Sequence, residues 1–323
     1  GLLDPRAVDF VGSVEVVNIG LPAELTDRVE SDLELITGED LRAILVRRPR
    51  HAHKGMFGHV LIIGGAPGYA GAVAMAAQAA VRSGAGLVTA LVPAGVAPVV
   101  AGVVPEAMVH GGAATPAGAL AADALAKWSR RLGDFSAILI GPGLTPGEGT
   151  RALVGQVLAE SRAPVVLDAD ALNVCAGRPD LIAGAACPVI ITPHPGEMAR
   201  LIGGEASDIQ AGRFDAARRA AEQTAAVTVL KGAGTVVAGK GRPLNVNLTG
   251  NPGMASGGMG DVLGGLVAGL AAQGIAPFAA ARAGVYLHGR AGDSMAWRSS
   301  QAGLTAGDVV EELPNVFREI TVR

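Results

Sequence analysis

Apolar positions in this chain fall into two alternating patterns. Short unbroken apolar runs end in Gly, Pro, Asp, His or Lys, and longer alanine-rich or helically spaced segments follow them. The short runs read as strands covered on both faces, over residues 59–63, 87–92, 137–140, 164–167, 189–191 and 227–230. Helices are predicted over 72–82, 118–131, 150–160, 207–224, 261–272, 277–297 and 305–317. Two β-rich pieces, 235–238 and 244–246, predict a hairpin. Alternating strands and helices imply an α/β fold with a parallel sheet between two helical layers, whose ligand crevice lies at the carboxyl ends of the strands.

Two stretches fit this rhythm less well. The most apolar one, 85–105, contains Pro93 and Pro98 and reads as strand plus turn, not as a membrane span. Near the start, residues 14–19 form a short apolar run closed by Gly20-Leu21-Pro22, and a charged segment, 24–34, follows. A strand there has no early partner and must pair elsewhere.

Composition narrows the partners. Half of the 323 residues are apolar but only 3% aromatic, so small aliphatic side chains must fill the core. The net charge of −3 supplies no basic stripe, which argues against nucleic acid. The two cysteines, Cys175 and Cys187, match no metal or redox spacing, and no secretory segment is evident, so a cytoplasmic, reducing compartment is expected.

The densest chemistry lies in 250–261, where five of twelve residues are glycine and the run ends at Asp261 before an apolar helix. Backbone N–H groups of such a loop, with the positive end of the helix dipole, bind phosphate. Asp261 is expected at the helix start, either as a proton acceptor for a substrate hydroxyl, among donors that hold it ionised, or as a plain helix cap. Lys231-Gly232-Ala233-Gly234-Thr235 joins two strands. Lysine occurs only four times, so Lys231 suits a point charge beside phosphate, the alternative being an exposed hairpin turn.

Gly64 to Gly71 follows a strand but lacks the spacing and acidic residue of a dinucleotide fingerprint, so it reads as a loop approached closely by substrate. His194, between prolines, reads as a substrate contact, since no second ligand stands at zinc spacing. Glu197 is expected to cap the next helix. Asp168 and Asp170 end one strand together; one of them is expected to cap the helix that follows, with no direct metal site.

These motifs in this order resemble the NAD(P)H-hydrate dehydratases of the ribokinase-like superfamily. The resemblance runs over about residues 35–323 through Lys54-Gly55, 61–71, 82–89, 140–144, 167–173, 192–197, 229–235, 251–261 and 286–289. It implies a three-layer α/β/α sandwich with a mainly parallel central sheet. It also implies a hydro-lyase that uses ADP or ATP, with Mg²⁺, to return NADHX and NADPHX to NADH and NADPH. Asp261 would be the base. Lys231, Gly232, Ala233, Gly234, Thr235 and Gly260 would hold the nucleotide, and Ala72, Gly143, His194 and Asp261 the hydrate. Mg²⁺ would be held through water, without direct protein ligands. Ser256 stands where the family more often has threonine.

Residues 14–22 resemble the closing strand of an NAD(P)H-hydrate epimerase domain. Residues 1–30 are thus expected to be a remnant or linker from an upstream epimerase domain, and 31–323 the dehydratase domain. A homo-oligomer is expected. Two other readings remain at this point: a ribokinase-like small-molecule kinase releasing a stable phosphoester, and a non-enzymatic nucleotide sensor.

Overall fold

A computed structural model describes residues 2, 7, 10–12, 14, 17, 19–26, 28–29, 31–45 and 48–321. Ten strands build one sheet: β1 (Leu33–Leu35), β2 (His59–Ile63), β3 (Leu87–Pro93), β4 (Met108–Gly112), β5 (Ala137–Ile140), β6 (Val165–Leu167), β7 (Val189–Ile191), β8 (Val227–Leu230), β9 (Thr235–Ala238) and β10 (Leu244–Asn247). Their order is β1-β10-β9-β8-β7-β6-β5-β2-β3-β4. Only β8–β9 and β9–β10 pair antiparallel.

Side-chain alternation sends each strand's apolar residues to two cores. On one face, Val60, Ile62, Leu139 and Val166 pack against helices Ala70–Arg82, Met259–Ala272, Pro277–Arg298 and Ala306–Thr321. On the other, Leu61, Ile63 and Ile138 meet Leu153 and Val157 of helix Glu148–Glu160 and a loop cluster around Leu125 and Trp128. A smaller core joins β8–β10 to helix Arg213–Thr224. This is the three-layer α/β/α sandwich, with a mainly parallel sheet. Small residues let its layers close up: a Cβ on Gly265 would strike the carbonyl of Ala76 on the neighbouring helix.

The topology selects one edge for chemistry. From β2 the chain winds outward through β3 and β4, then returns on the other side of β2 as β5 and continues through β6, β7 and β8. β2, β5, β6, β7 and β8 run parallel, so their carboxyl ends share one edge. The reversal between β2 and β5 opens a crevice there.

Several predictions of local structure are corrected. Residues 118–131 form no α-helix. Gly118 takes φ +84°, Ala114 bridges to Leu120, and successive i→i−3 bonds lead into a 3₁₀ turn at Ser129–Asp134. The buried side chains of Leu120, Leu125, Trp128 and Leu132 are placed by packing, which overrides alanine's helix propensity. The 85–105 stretch continues past its strand into a short helix, Ala97–Val103, with Pro98 in the first turn, where its missing N–H costs nothing. The 207–224 segment breaks at Gly212 into Ala206–Ala211 and Arg213–Thr224. The strand expected over 14–19 falls partly outside the described residues. β1 and β4 carry too few apolar residues to stand out from sequence.

Candidate active site

Loops from the ends of β2, β5, β6, β7 and β8 meet the amino end of helix Met259–Ala272. Gly141-Pro142-Gly143 ends β5. Gly143, at φ +63°, lies so close to the 69–72 turn that a Cβ on it would stand 2.8 Å from the Cβ of Tyr69 and 3.4 Å from that of Ala72. Ala72 and Gly143 therefore adjoin at the switch point.

The charged centre lies beside them. Asp168, from the end of β6, is 1% exposed. Its Oδ1 accepts hydrogen bonds from Lys231 Nζ at 2.8 Å and Thr192 Oγ1 at 2.8 Å. The same ammonium stands 3.7 Å from Glu197 Oε2. A Cβ on Gly260 would lie 3.3 Å from Lys231 Nζ and 3.9 Å from Asp168 Oδ2, so the start of the 259–272 helix sits directly over this pair. Lys231 is no exposed turn residue. Burial alone would lower its proton affinity, but Asp168, Glu197 and Asp261 together raise it, so it stays an ammonium ion.

Asp261 is the third residue of that helix, and Gly258 is the N-cap, so the carboxylate is not a cap. Nor do the surrounding donors hold it ionised. Burial, reinforced by the charge of Asp168, pushes it up to about 7, with Lys231 and a backbone hydrogen bond opposing. Asp168, Glu197 and Asp261 all act on one ammonium, and Asp261 is left half-protonated near neutrality.

Asp168 and Asp170 have separate tasks. Neither side chain caps helix Asp170–Asn173, whose N-cap is Ala169 at φ +49°. Asp170 instead accepts from the N–H of Thr145 at 3.0 Å and from Asn173 Nδ2 at 3.0 Å, tying the β5 loop to the β6 loop. The turn at Ala169 sends the two carboxylates apart.

His194 and Glu197 form a reciprocal cap on helix Pro195–Ile202. The His194 Nδ1 accepts from the N–H of Gly196 at 3.0 Å and of Glu197 at 3.3 Å, while Glu197 Oε2 accepts from the His194 N–H at 2.8 Å. With Nδ1 an acceptor, the ring's proton sits on Nε2, at the half-exposed side. Partial burial lowers its proton affinity against the pull of Glu197, so the ring is neutral near pH 7.

The glycine-rich loop is held from behind by helix Pro277–Arg298. Asp293 accepts from the Gly250 N–H and from Asn251 Nδ2, both at 2.9 Å. Sequence reading passed over Asp293, as it did Thr192 and Arg213, because the backbone and side-chain partners that define their roles are 17 to 43 residues away. Among the described residues, no group of three or more His, Cys, Asp and Glu could hold a metal ion, and no helix is long and apolar enough to cross a membrane.

Comparison with known proteins bears on this arrangement. The family model described as NAD(P)H-hydrate dehydratase matches residues 60–315. The chain belongs to the NAD(P)H-hydrate dehydratase family. As a member of that family it is 44% identical over 320 residues to the bifunctional NAD(P)H-hydrate repair enzyme of Moorella thermoacetica, covering 99% of this chain and 60% of that one. It is 40% identical to the Escherichia coli enzyme of the same description, over 99% and 59% of the two chains. The chain thus spans about three fifths of the length of these curated relatives. Among solved structures it resembles the ADP/ATP-dependent NAD(P)H-hydrate dehydratase of Bacillus subtilis, co-crystallised with ATP and Mg²⁺. That likeness has a TM-score of 0.78 and 34% identity, over 88% of this chain and 98% of that one. A ribokinase-like superfamily protein of Enterococcus faecalis aligns with a TM-score of 0.79 at 26% identity.

Proposed function

We propose that this domain dehydrates the (S) hydrates of NADH and NADPH at the expense of ADP or ATP. Hydroxide is a poor leaving group, so the C6 hydroxyl must first be activated. Its oxygen attacks the terminal phosphorus of the nucleotide, the bond from that phosphorus to the nucleotide breaks, and the hydroxyl proton passes to Asp261. The lone pair on the ring nitrogen then expels phosphate from C6, and loss of the neighbouring ring proton restores the dihydronicotinamide. With ADP the balance is hydrate plus ADP giving NADH, AMP and phosphate.

The observation that carries this reading is Asp261. It combines a proton affinity near neutrality with a position at a helix amino terminus, over a buried Lys231–Asp168 pair. A base poised near the working pH is the one best able to accept the proton in the transition state. Lys231, Gly232, Ala233, Gly234, Thr235 and Gly260 would hold the nucleotide, with Lys231 facing phosphate. Ala72, Gly143 and His194 would line the hydrate, where the Nε2 of His194, 3.5 Å from Glu197 Oε1, stands on the half-exposed side.

Mg²⁺ fits this donor set as a passenger of the nucleotide, and when bound it neutralises phosphate charge. Asp168 and Glu197 already spend an oxygen on Lys231, so water would carry contacts from the protein. The residues before β1 would join this domain to the epimerase of a bifunctional protein, and the working enzyme would be a homo-oligomer.

The test is recovery of dihydronicotinamide absorbance from NADHX with Mg²⁺ and either ADP or ATP. No recovery with either nucleotide would refute the reading, and a stable phosphorylated product in the mass spectrum would replace it with a kinase.

A further inference from the structure

Arg213 opens helix Arg213–Thr224 and is 1% exposed, the bulkiest fully buried side chain among the described residues. Those residues place no carboxylate within ion-pairing distance of it, and its Nε has no partner. Burial lowers it to about 10, so it remains cationic at neutral pH. A buried guanidinium without a counter-charge is costly, and folding retains it only where other groups compensate.

Those groups are three carbonyls of a single turn and one side-chain amide oxygen. Arg213 Nη2 donates to the carbonyls of Leu230 at 2.7 Å and Gly234 at 3.4 Å; Nη1 donates to that of Lys231 at 3.2 Å and to Gln210 Oε1 at 2.9 Å. The Thr235 hydroxyl donates to the carbonyl of Gly232 at 2.9 Å. Four carbonyls of the 230–234 turn are thus engaged within the protein. In a trans peptide the N–H points opposite to the C=O before it. The N–H groups of Gly232 and Ala233, which follow the engaged carbonyls of Lys231 and Gly232, accordingly find no protein acceptor among the described residues, and that of Gly234 finds none either. Gly232 at φ +140° and Gly234 at φ +64° permit this reversal. The result is a concavity of bare N–H groups backed by a fixed positive charge, a geometry that takes an anion.

We infer that Arg213 is a positioning residue of the nucleotide site: it holds the carbonyls of Leu230, Lys231 and Gly234 inward, beside that of Gly232 held by the Thr235 hydroxyl, so that N–H groups of the turn face the nucleotide, and it supplies the buried charge behind them. The inference rests on the assignment of the 231–235 turn to the nucleotide. Arg213 touches neither substrate. The arginine is suited to this because its planar fork reaches several carbonyls at once, which a lysine ammonium in the same space cannot.

The experiment compares the wild-type chain with Arg213→Lys, measuring KM for ADP, KM for NADHX and kcat, with hydrogen exchange of residues 231–235 with and without ADP and Mg²⁺. Arg213→Lys is expected to raise the ADP KM about tenfold or more, with kcat at saturating ADP and the NADHX KM each within about threefold. Gln210→Ala, which removes the side-chain acceptor that orients Arg213 Nη1 at 2.9 Å, should raise the ADP KM selectively in smaller measure and serves if Arg213→Lys does not fold. An unchanged ADP KM in a folded variant overturns the inference, as does a proportional loss of all three parameters. If ADP gives the wild-type turn no protection, the nucleotide assignment itself fails. Protection in the wild type with an unaltered ADP KM in Arg213→Lys removes Arg213 alone.

Discussion

Replacing Asp261 by asparagine should inactivate the domain and stabilise it, and the two effects separate by pH. In the fold this carboxyl titrates at about 7, against 3.8 in an exposed chain. A raised value means that the folded state keeps its proton over a range where the unfolded state has lost it. Stability therefore falls as pH rises from 3.8 to about 7, and the whole penalty is present above that. The difference, at about 1.4 kcal/mol per decade of proton activity, comes to about 4 kcal/mol. For a chain of this length, with an unfolding entropy of about 2 cal/mol/K per residue, that corresponds to roughly 6 °C in Tm. Asparagine is neutral at every pH, so it escapes the penalty. The assay is thermal unfolding of both proteins at about pH 8.5 and about pH 4.5, where only about 1 kcal/mol of the penalty is present in the wild type. Asp261→Asn should melt several degrees higher at the alkaline pH and within about two degrees at the acid one. Turnover should be lost while ADP affinity stays within about tenfold. A variant no more stable than wild type at alkaline pH would refute the buried-carboxylate argument, and retained turnover would remove Asp261 as the base.

Three further outcomes follow from the same centre and its surroundings. The wild-type kcat/KM should rise with pH through an ionisation near 7, since only the carboxylate of Asp261 can accept a proton; a flat profile between about pH 5.5 and 8.5 would contradict this. Lys231→Met leaves Asp168 buried with only the Thr192 hydroxyl, so chemical denaturation should show a loss of about 3–5 kcal/mol, and no loss would show that the pair does not support the fold. His288, whose ring Nε2 is buried without a partner, is held down to about 4 by its loss of solvent. It stays neutral in the fold while the unfolded chain takes up a proton below 6.5, so stability should fall by up to about 3 kcal/mol on acidification towards pH 4, and His288→Leu should flatten that fall.

What the sequence determined by itself was local: where strands end, where helices start, and which loops carry glycine. Period and turn chemistry act within a few residues, so the strands ending at Gly64, Gly141, Asp168, Thr192 and Lys231 were legible, as was Asp261 at a helix start. The ordered motifs also carried the family. Helix 118–131 misled because alanine favours helix locally while buried Leu125 and Trp128 settled the backbone from outside. Only the tertiary structure decided which carboxylate does what. Asp168 and Asp170 stand two positions apart, yet one reaches Lys231, 63 residues on, and the other a backbone N–H 25 residues back. The raised proton affinity of Asp261 likewise depends on burial and on a second carboxylate from another strand. Arg213 was invisible for the same reason, since what makes it unusual is the absence of a counter-charge in three dimensions. Charge, burial and hydrogen bonding add up over everything within reach, and the fold alone sets what is within reach.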